Sequence, residues 1–180
     1  MNNRQTENSY FADKVALRLN HLPAGKTIRV LDAFSAYGRI WNEVRSRSRQ
    51  TIEVTSLEKR TLPGGFRLLG DNVKFLSGMN LDKFDVIDLD AFGIPFKQLR
   101  IVFASDFRGV VFATVIQSGM GRLPNAMLEA LGYTAAMIDK TPTLFTRNGF
   151  EKFTAWMANN GVTKILVRES GRKHYIAFTR

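Results

Sequence analysis

The chain has 180 residues, 44% of them hydrophobic, with no cysteine and two histidines. That length carries one good core and predicts one globular domain, and the cysteine count excludes disulfides, thiolate metal sites and a cysteine nucleophile; two histidines argue against a histidine-rich metal site. The 26 basic and 16 acidic residues leave a net charge of +10, which favours polyanionic partners through phosphate neutralisation and counterion release, or serves solubility if it is spread over the surface.

No apolar run approaches the roughly 18 residues that a membrane span needs. The polar stretch Met1 to Glu7 has no apolar signal segment behind it, so a cytoplasmic protein is expected. Residues 1–27 read as a polar tail followed by an amphipathic helix, Tyr10 to Leu22, which Pro23-Ala24-Gly25 breaks. The remainder, 28–180, reads as the main domain. Its first strand, Ile28 to Ala33, ends in an acidic residue, then small residues and Gly38. A helix from about Tyr37 to Arg47 follows. Strand, tight loop and helix form the unit that cradles nucleotide-like cofactors in open α/β sheets.

The pattern continues with a strand Ile52 to Leu57 ending at Glu58, a turn at Pro63-Gly64-Gly65, and a short strand Phe66 to Leu69. Gly70-Asp71-Asn72 then leads into a helical turn, Val73 to Ser77. The next strand, Phe84 to Leu89, ends at Asp90, and Pro95 suits the first turn of a helix running to about Ala104. Gly109 to Ile116 is nearly all apolar, the pattern of a strand buried on both faces. Helices follow at Pro124 to Leu131, stopped by Gly132, and at Gly149 to Asn159. Two strands, Val162 to Arg168 and His174 to Thr179, form a closing hairpin. Strands alternating with helices, then a terminal hairpin, predict an α/β sheet that is mostly parallel with one late reversed strand.

From Ile28 to Arg180 the chain resembles the class I S-adenosylmethionine-dependent methyltransferases, whose Rossmann-like sheet also has a late antiparallel hairpin strand. Val30-Leu31-Asp32-Ala33-Phe34-Ser35-Ala36-Tyr37-Gly38 is similar to the V-L-D-x-F-A-G-x-G loop of nucleic-acid base methyltransferases, with Ala36 in place of the usual glycine. Asp90-Ala91-Phe92-Gly93-Ile94-Pro95 looks like the D-P-F-G-S-P motif of tRNA guanine-N2 dimethyltransferases, with Ala91 for proline and Ile94 for serine. The usual second helix has no room between Glu58 and Phe66.

The resemblance implies S-adenosylmethionine as cofactor. Asp32 would act on its ammonium group and Glu58 on its ribose hydroxyls. Asp71 and the Asn72 backbone would meet the adenine, while Phe34, Ala36, Gly38 and Asp88 would shape the pocket. Asp90 would accept the N–H of an exocyclic amine, and Phe92 would pack on the base. The implied reaction is N-methylation of a base in RNA, guanine before adenine, as in tRNA processing. The residues by themselves also allow a loop-capping Asp32, a surface Glu58, a turn-forming Asp71 and a core Phe92.

Arg39, Lys59, Arg122 and Arg147 are the candidates for nucleic-acid contact. Gly119-Met120-Gly121-Arg122 and Thr141-Pro142-Thr143 are candidates for the substrate rim. Arg45-Ser46-Arg47-Ser48-Arg49 reads as a solvated helix end, where cations suit the helix dipole. Two other classes stay open: a methyltransferase of a small molecule or protein, and a non-catalytic methyltransferase-like binding subunit. A nicotinamide dinucleotide is disfavoured because the first loop has one glycine where a pyrophosphate usually needs several. A lysine-ending Walker loop is absent.

Overall fold

The structure, a computed structural model, describes residues 10–116, 123–140 and 145–180, apart from the side chain of Thr146. Seven strands make one sheet: β1 (Thr27–Asp32), β2 (Thr51–Glu58), β3 (Leu68–Leu69), β4 (Val86–Leu89), β5 (Val110–Ile116), β6 (Ile165–Ser170) and β7 (Lys173–Thr179). Their order is β3-β2-β1-β4-β5-β7-β6. Neighbours from β3 to β5 are parallel, whereas β7 lies antiparallel between β5 and β6. The strand order reverses between β1 and β4, so a crevice opens there at the carboxyl ends.

Seven helices accompany the strands among the described residues: α1 (Phe11–Leu19), α2 (Arg39–Arg47), α3 (Asn72–Gly78), α4 (Phe96–Ala104), α5 (Asn125–Ala130), α6 (Ala135–Lys140) and α7 (Phe145–Asn159). None is long and apolar enough to cross a membrane.

The period-2 alternation of the strands divides the core in two. Ile28, Val30, Val86, Phe112, Tyr175 and Ala177 pack with Val15 and Leu17 of α1 and with Trp41 and Val44 of α2. Leu31, Ile87, Leu89, Val111, Ala113 and Ile176 pack on the opposite face with Leu99, Val102 and Phe103 of α4 and with Phe153, Trp156 and Met157 of α7. The same alternation carries Asp32, Asp88 and Asp90 toward the α1 side. Residue pairing across β1 and β4 sets Asp32 opposite Asp88.

Several element boundaries differ from the sequence expectation. The third strand keeps only Leu68 and Leu69, pairing with Leu57 and Glu58 at the very end of β2; Phe66 is exposed. No helix lies between β2 and β3, so the crossover is a bare loop. The penultimate strand begins at Ile165 rather than Val162. Val162 is buried and donates its N–H to Met157 O, closing the end of α7 through Gly161, whose φ is 86°. α7 starts at Phe145 and has a non-helical residue at Asn148, so the expected start at Gly149 marks the far side of that kink. α6 and a single 3₁₀ turn at Leu81–Lys83 are additional.

Candidate functional site

A cleft of about 490 Å³ opens at the carboxyl ends of β1, β2 and β4. Asp32, Phe34, Ala36, Glu58, Asp71, Asn72, Asp88, Asp90 and Phe92 all line it. Of the ten predicted site residues, only Gly38 stands outside this lining. Gly38 caps α2 instead, at φ 68°, with its N–H on Ser35 O at 2.7 Å.

The first loop is clamped to the tip of β2. Ser35 donates from both its N–H and its hydroxyl to Leu57 O, each at 3.1 Å. Ala36 sits in the left-handed region at φ 45°, among the described residues the one non-glycine with a positive φ. This is the position where the resembling loop carries glycine. Its N–H donates to Glu58 Oε2 at 3.0 Å. Glu58 Oε1 accepts from the N–H groups of Lys59 (2.9 Å) and Arg60 (3.0 Å). A carboxylate has about four acceptor positions, so Glu58 keeps one on Oε2 beside the loop.

On the far wall Asp71 caps α3, accepting from the N–H of Val73 (2.8 Å) and of Lys74 (3.3 Å). Asn72 ties that helix to the end of β1. Its Nδ2 donates to Ala33 O and its Oδ1 accepts from Gln98 Nε2, both at 2.9 Å. Both side chains are therefore engaged in building the wall.

The β4 side is an ionic cluster. Asp88 is buried and accepts from Arg18 Nε (2.7 Å), Arg18 Nη2 (2.8 Å) and Trp41 Nε1 (2.7 Å). Asp90 accepts from Lys14 Nζ on Oδ1 (2.8 Å) and on Oδ2 (2.7 Å), and from the Thr114 hydroxyl. Burial raises the proton affinity of Asp90, but the charges of Arg18 and Lys14 and the bonds from Lys14 and Thr114 outweigh it, and its carboxyl lies below the usual range.

Asp32 is the opposite case. It accepts one backbone N–H, from Phe34 at 3.3 Å. Burial and the charge of Asp88 push its carboxyl well above the usual range, against the pull of that N–H and of Arg18. Asp32 is thus an under-partnered buried acid facing the crevice.

Phe92 is 80% exposed and lines the cleft next to Gly93, and Tyr37 of the first loop is exposed and lines it too. Arg39 stacks its guanidinium over Tyr37 at 5.6 Å and lines the cleft with Lys59. Arg147 is exposed on α7 and is not among the cleft residues. Gly119-Met120-Gly121-Arg122 and Thr141-Pro142-Thr143 lie outside the described residues. Arg45 donates to Ile52 O and Arg47 pairs with Glu43, both away from the cleft.

Lys14, Arg18, Trp41 and Thr114 belong to the site although no motif marks them in the sequence. A signal for two of them was present. Lys14 and Arg18 are four residues apart on a helix, ~6 Å along its axis; Asp88 and Asp90 are two apart along a strand direction, ~6.6 Å. Two carboxylates near the end of a buried strand require cations, and α1 carries a pair at matching spacing.

No family model matches the chain, and no curated protein matches it. Solved structures do. An S-adenosylmethionine-dependent methyltransferase from Archaeoglobus fulgidus is 12% identical with a TM-score of 0.59, covering 94% of this chain and 93% of that one. Precorrin-6y C5,15-methyltransferase from Geobacter metallireducens is 11% identical with a TM-score of 0.56, covering 100% and 92%. Phosphoethanolamine N-methyltransferase 2 from Haemonchus contortus, solved with S-adenosyl-L-methionine, is 14% identical with a TM-score of 0.55; the match covers 87% of this chain and 38% of that one. The chain has the Rossmann-like α/β fold of class I methyltransferases, mostly parallel with antiparallel C-terminal strands. At these identities the likeness is one of fold and does not extend to substrate.

Proposed function

We propose that this chain binds S-adenosylmethionine in the cleft and transfers its methyl group to the exocyclic nitrogen of a base in RNA, guanine before adenine, in the cytoplasm. The observation that carries the reading is the cleft itself. It lies at the strand-order reversal, with Glu58 at the tip of β2 and Asp90 at the tip of β4 on its two sides. The residues present fit the cofactor. Glu58 retains an acceptor position for a ribose hydroxyl, the left-handed turn at Ala36 brings backbone close to the cleft, and the under-partnered Asp32 carboxyl suits an ammonium group. When bound, the cofactor supplies a methyl carbon already activated by its sulfonium.

The chain's own part is alignment and charge. Asp90 accepts a hydrogen bond from the amine that is to be methylated. Phe92 and Tyr37, both exposed and lining the cleft, offer faces on which a base can stack. Arg39 and Lys59 on the rim and the net charge of +10 favour phosphate. The motif at Asp90 to Pro95 supports guanine among the bases.

A second reading is a methyltransferase-like subunit that binds without reacting. Ala36 stands in the first loop at φ 45°, where the resembling loop carries glycine, and no helix lies between β2 and β3.

Anisotropy binding to bulk tRNA over a salt series, paired with transfer of labelled methyl from the cofactor, separates these readings. The proposed function expects labelled RNA and an affinity that falls with salt, each neutralised phosphate on a single strand contributing a log–log slope of about −0.7. Label entering a small metabolite or a protein overturns the RNA substrate. Salt-sensitive binding with no labelling of any substrate supports the binding subunit.

A further inference from the structure

The N-terminal helix reaches the tip of β4 with two cations. Lys14 Nζ lies 2.8 and 2.7 Å from the two oxygens of Asp90, and the side chains are only 12% and 11% exposed. The same ammonium lies 5.2 Å from the centre of the Tyr175 ring. One turn further along α1, Arg18 bonds Asp88 and reaches within 3.9 Å of Asp90 Oδ2.

We infer that Lys14 is a positioning residue of this site: it holds the Asp90 carboxylate in one orientation as a hydrogen-bond acceptor and makes α1 a wall of the cleft. A flexible ammonium that grips both oxygens, with Thr114 on one of them, leaves the carboxylate no free rotation. The groups facing Asp90 are Lys14 and Arg18 of α1, Asp32 of β1, Asp88 of β4 and Thr114 of β5; Tyr175 and Lys173 of β7 line the same cleft. Held this way, Asp90 accepts N–H bonds but is a poor place to put a proton. A methyl acceptor at this site is therefore a nitrogen that keeps its proton until the methyl group has arrived: the new nitrogen–carbon bond forms as the methyl–sulfur bond breaks to leave a neutral thioether, and the proton then passes to solvent. A hydroxyl, which must lose its proton first, is not served here. That consequence rests on the proposed function; the grip of Lys14 on Asp90 does not.

The test is a carbon-13 carboxyl titration of Asp90 by NMR in the full chain, in the wild type, Lys14→Met and Lys14→Arg. Loss of an adjacent opposite charge should raise the Asp90 midpoint by about 1–3 pH units, and Lys14→Arg should restore it. Labelled-methyl transfer to bulk tRNA across pH is measured beside it. Lys14→Met should lose transfer at least about tenfold on the acid side, where Asp90 is protonated, and Lys14→Arg should recover it. An unmoved midpoint overturns the assignment. So does a moved midpoint with equal transfer by all three proteins at every pH. Should Lys14→Met fail to fold, Lys14→Gln, which keeps a donor on a neutral chain, decides by the same midpoint. Absence of transfer even in the wild type, with the midpoint moved as expected, refutes the methyltransferase reading and leaves the grip of Lys14 on Asp90 standing.

Discussion

Arg18 and Asp88 are separated by 70 residues and joined by two hydrogen bonds, Nε to Oδ2 at 2.7 Å and Nη2 to Oδ1 at 2.8 Å. Their side chains are 2% and 1% exposed. The guanidinium fork matches the carboxylate edge, and the indole N–H of Trp41 adds a third donor. The pair locks α1 and α2 to the central strand directly beneath the cleft. It is a structural joint of the site, and Asp88 also lines the cleft.

Arg18→Met is therefore expected to destabilise the protein strongly. It leaves the buried Asp88 carboxylate without its paired cation and with the neutral Trp41 N–H as donor, a loss of about 3–5 kcal/mol. Urea unfolding measures it. Adding Asp88→Leu to Arg18→Met should recover much of the loss, since replacing both members of a buried pair by apolar groups is often close to neutral. A single variant within 1 kcal/mol of the wild type, in the sense of an ordinary surface change, contradicts the role given to the pair.

Glu58→Ala removes the acceptor at the tip of β2 and the anchor of the Ala36 N–H. Calorimetry with S-adenosylmethionine or its demethylated product should show binding weakened by about 1.5–3 kcal/mol, the worth of a hydrogen bond to a charged group. Glu58→Gln, which keeps one carbonyl acceptor, should lose less. Tight binding of NADH with no response to the methyl donor would remove the basis for this prediction.

Asp32→Asn tests a conflict between stability and binding. The folded carboxyl holds its proton more tightly than the unfolded one, because burial and Asp88 disfavour its charge. The unfolded chain therefore loses that proton first as pH rises from the ordinary value of 3.8, and stability drops until the pH passes the folded value. Asparagine never ionises and still offers an oxygen to the Phe34 N–H. The variant should be more stable than the wild type at neutral pH, with the gap closing in acid, while its affinity for the methyl donor falls. Denaturation midpoints over a pH series, with calorimetry alongside, read both effects.

Ala36→Gly should relieve the left-handed turn of the first loop. Holding a residue with a Cβ at φ 45° costs about 1–2 kcal/mol, and glycine returns about 0.4–1 kcal/mol of that through the greater freedom of the unfolded chain. A net gain of up to about 1.6 kcal/mol remains, with methyl-donor affinity kept or improved. A clear loss of stability by thermal melting would show that the methyl group of Ala36 packs usefully against the cleft.

Strands and loops were legible in the sequence because their signals are local. The alternation of Ile28, Val30 and Asp32 against Leu31 and Ala33 needs only a few residues to declare two faces. The apolar run Val110 to Ile116 announces a strand covered on both sides. Small residues and Gly38 mark the first loop, and the acidic ends Asp32, Glu58 and Asp90 all reached the one cleft. Asp71, readable as a turn former, became a helix cap for the same short-range reason.

The partners of those carboxylates belong to the tertiary structure. The sheet order and the register of β1 against β4 set Asp32, Asp88 and Asp90 on the face that α1 covers. Only that packing brings Lys14 to Asp90 across 76 residues and Arg18 to Asp88 across 70. A carboxylate's proton affinity depends on what lies within a few ångströms of it. One strand end consequently holds Asp90 with its proton affinity lowered under two cations, while its neighbour, given a single N–H, makes Asp32 reluctant to ionise. The residue types alone are identical aspartates; the distance and burial that tell them apart exist only once the chain has folded.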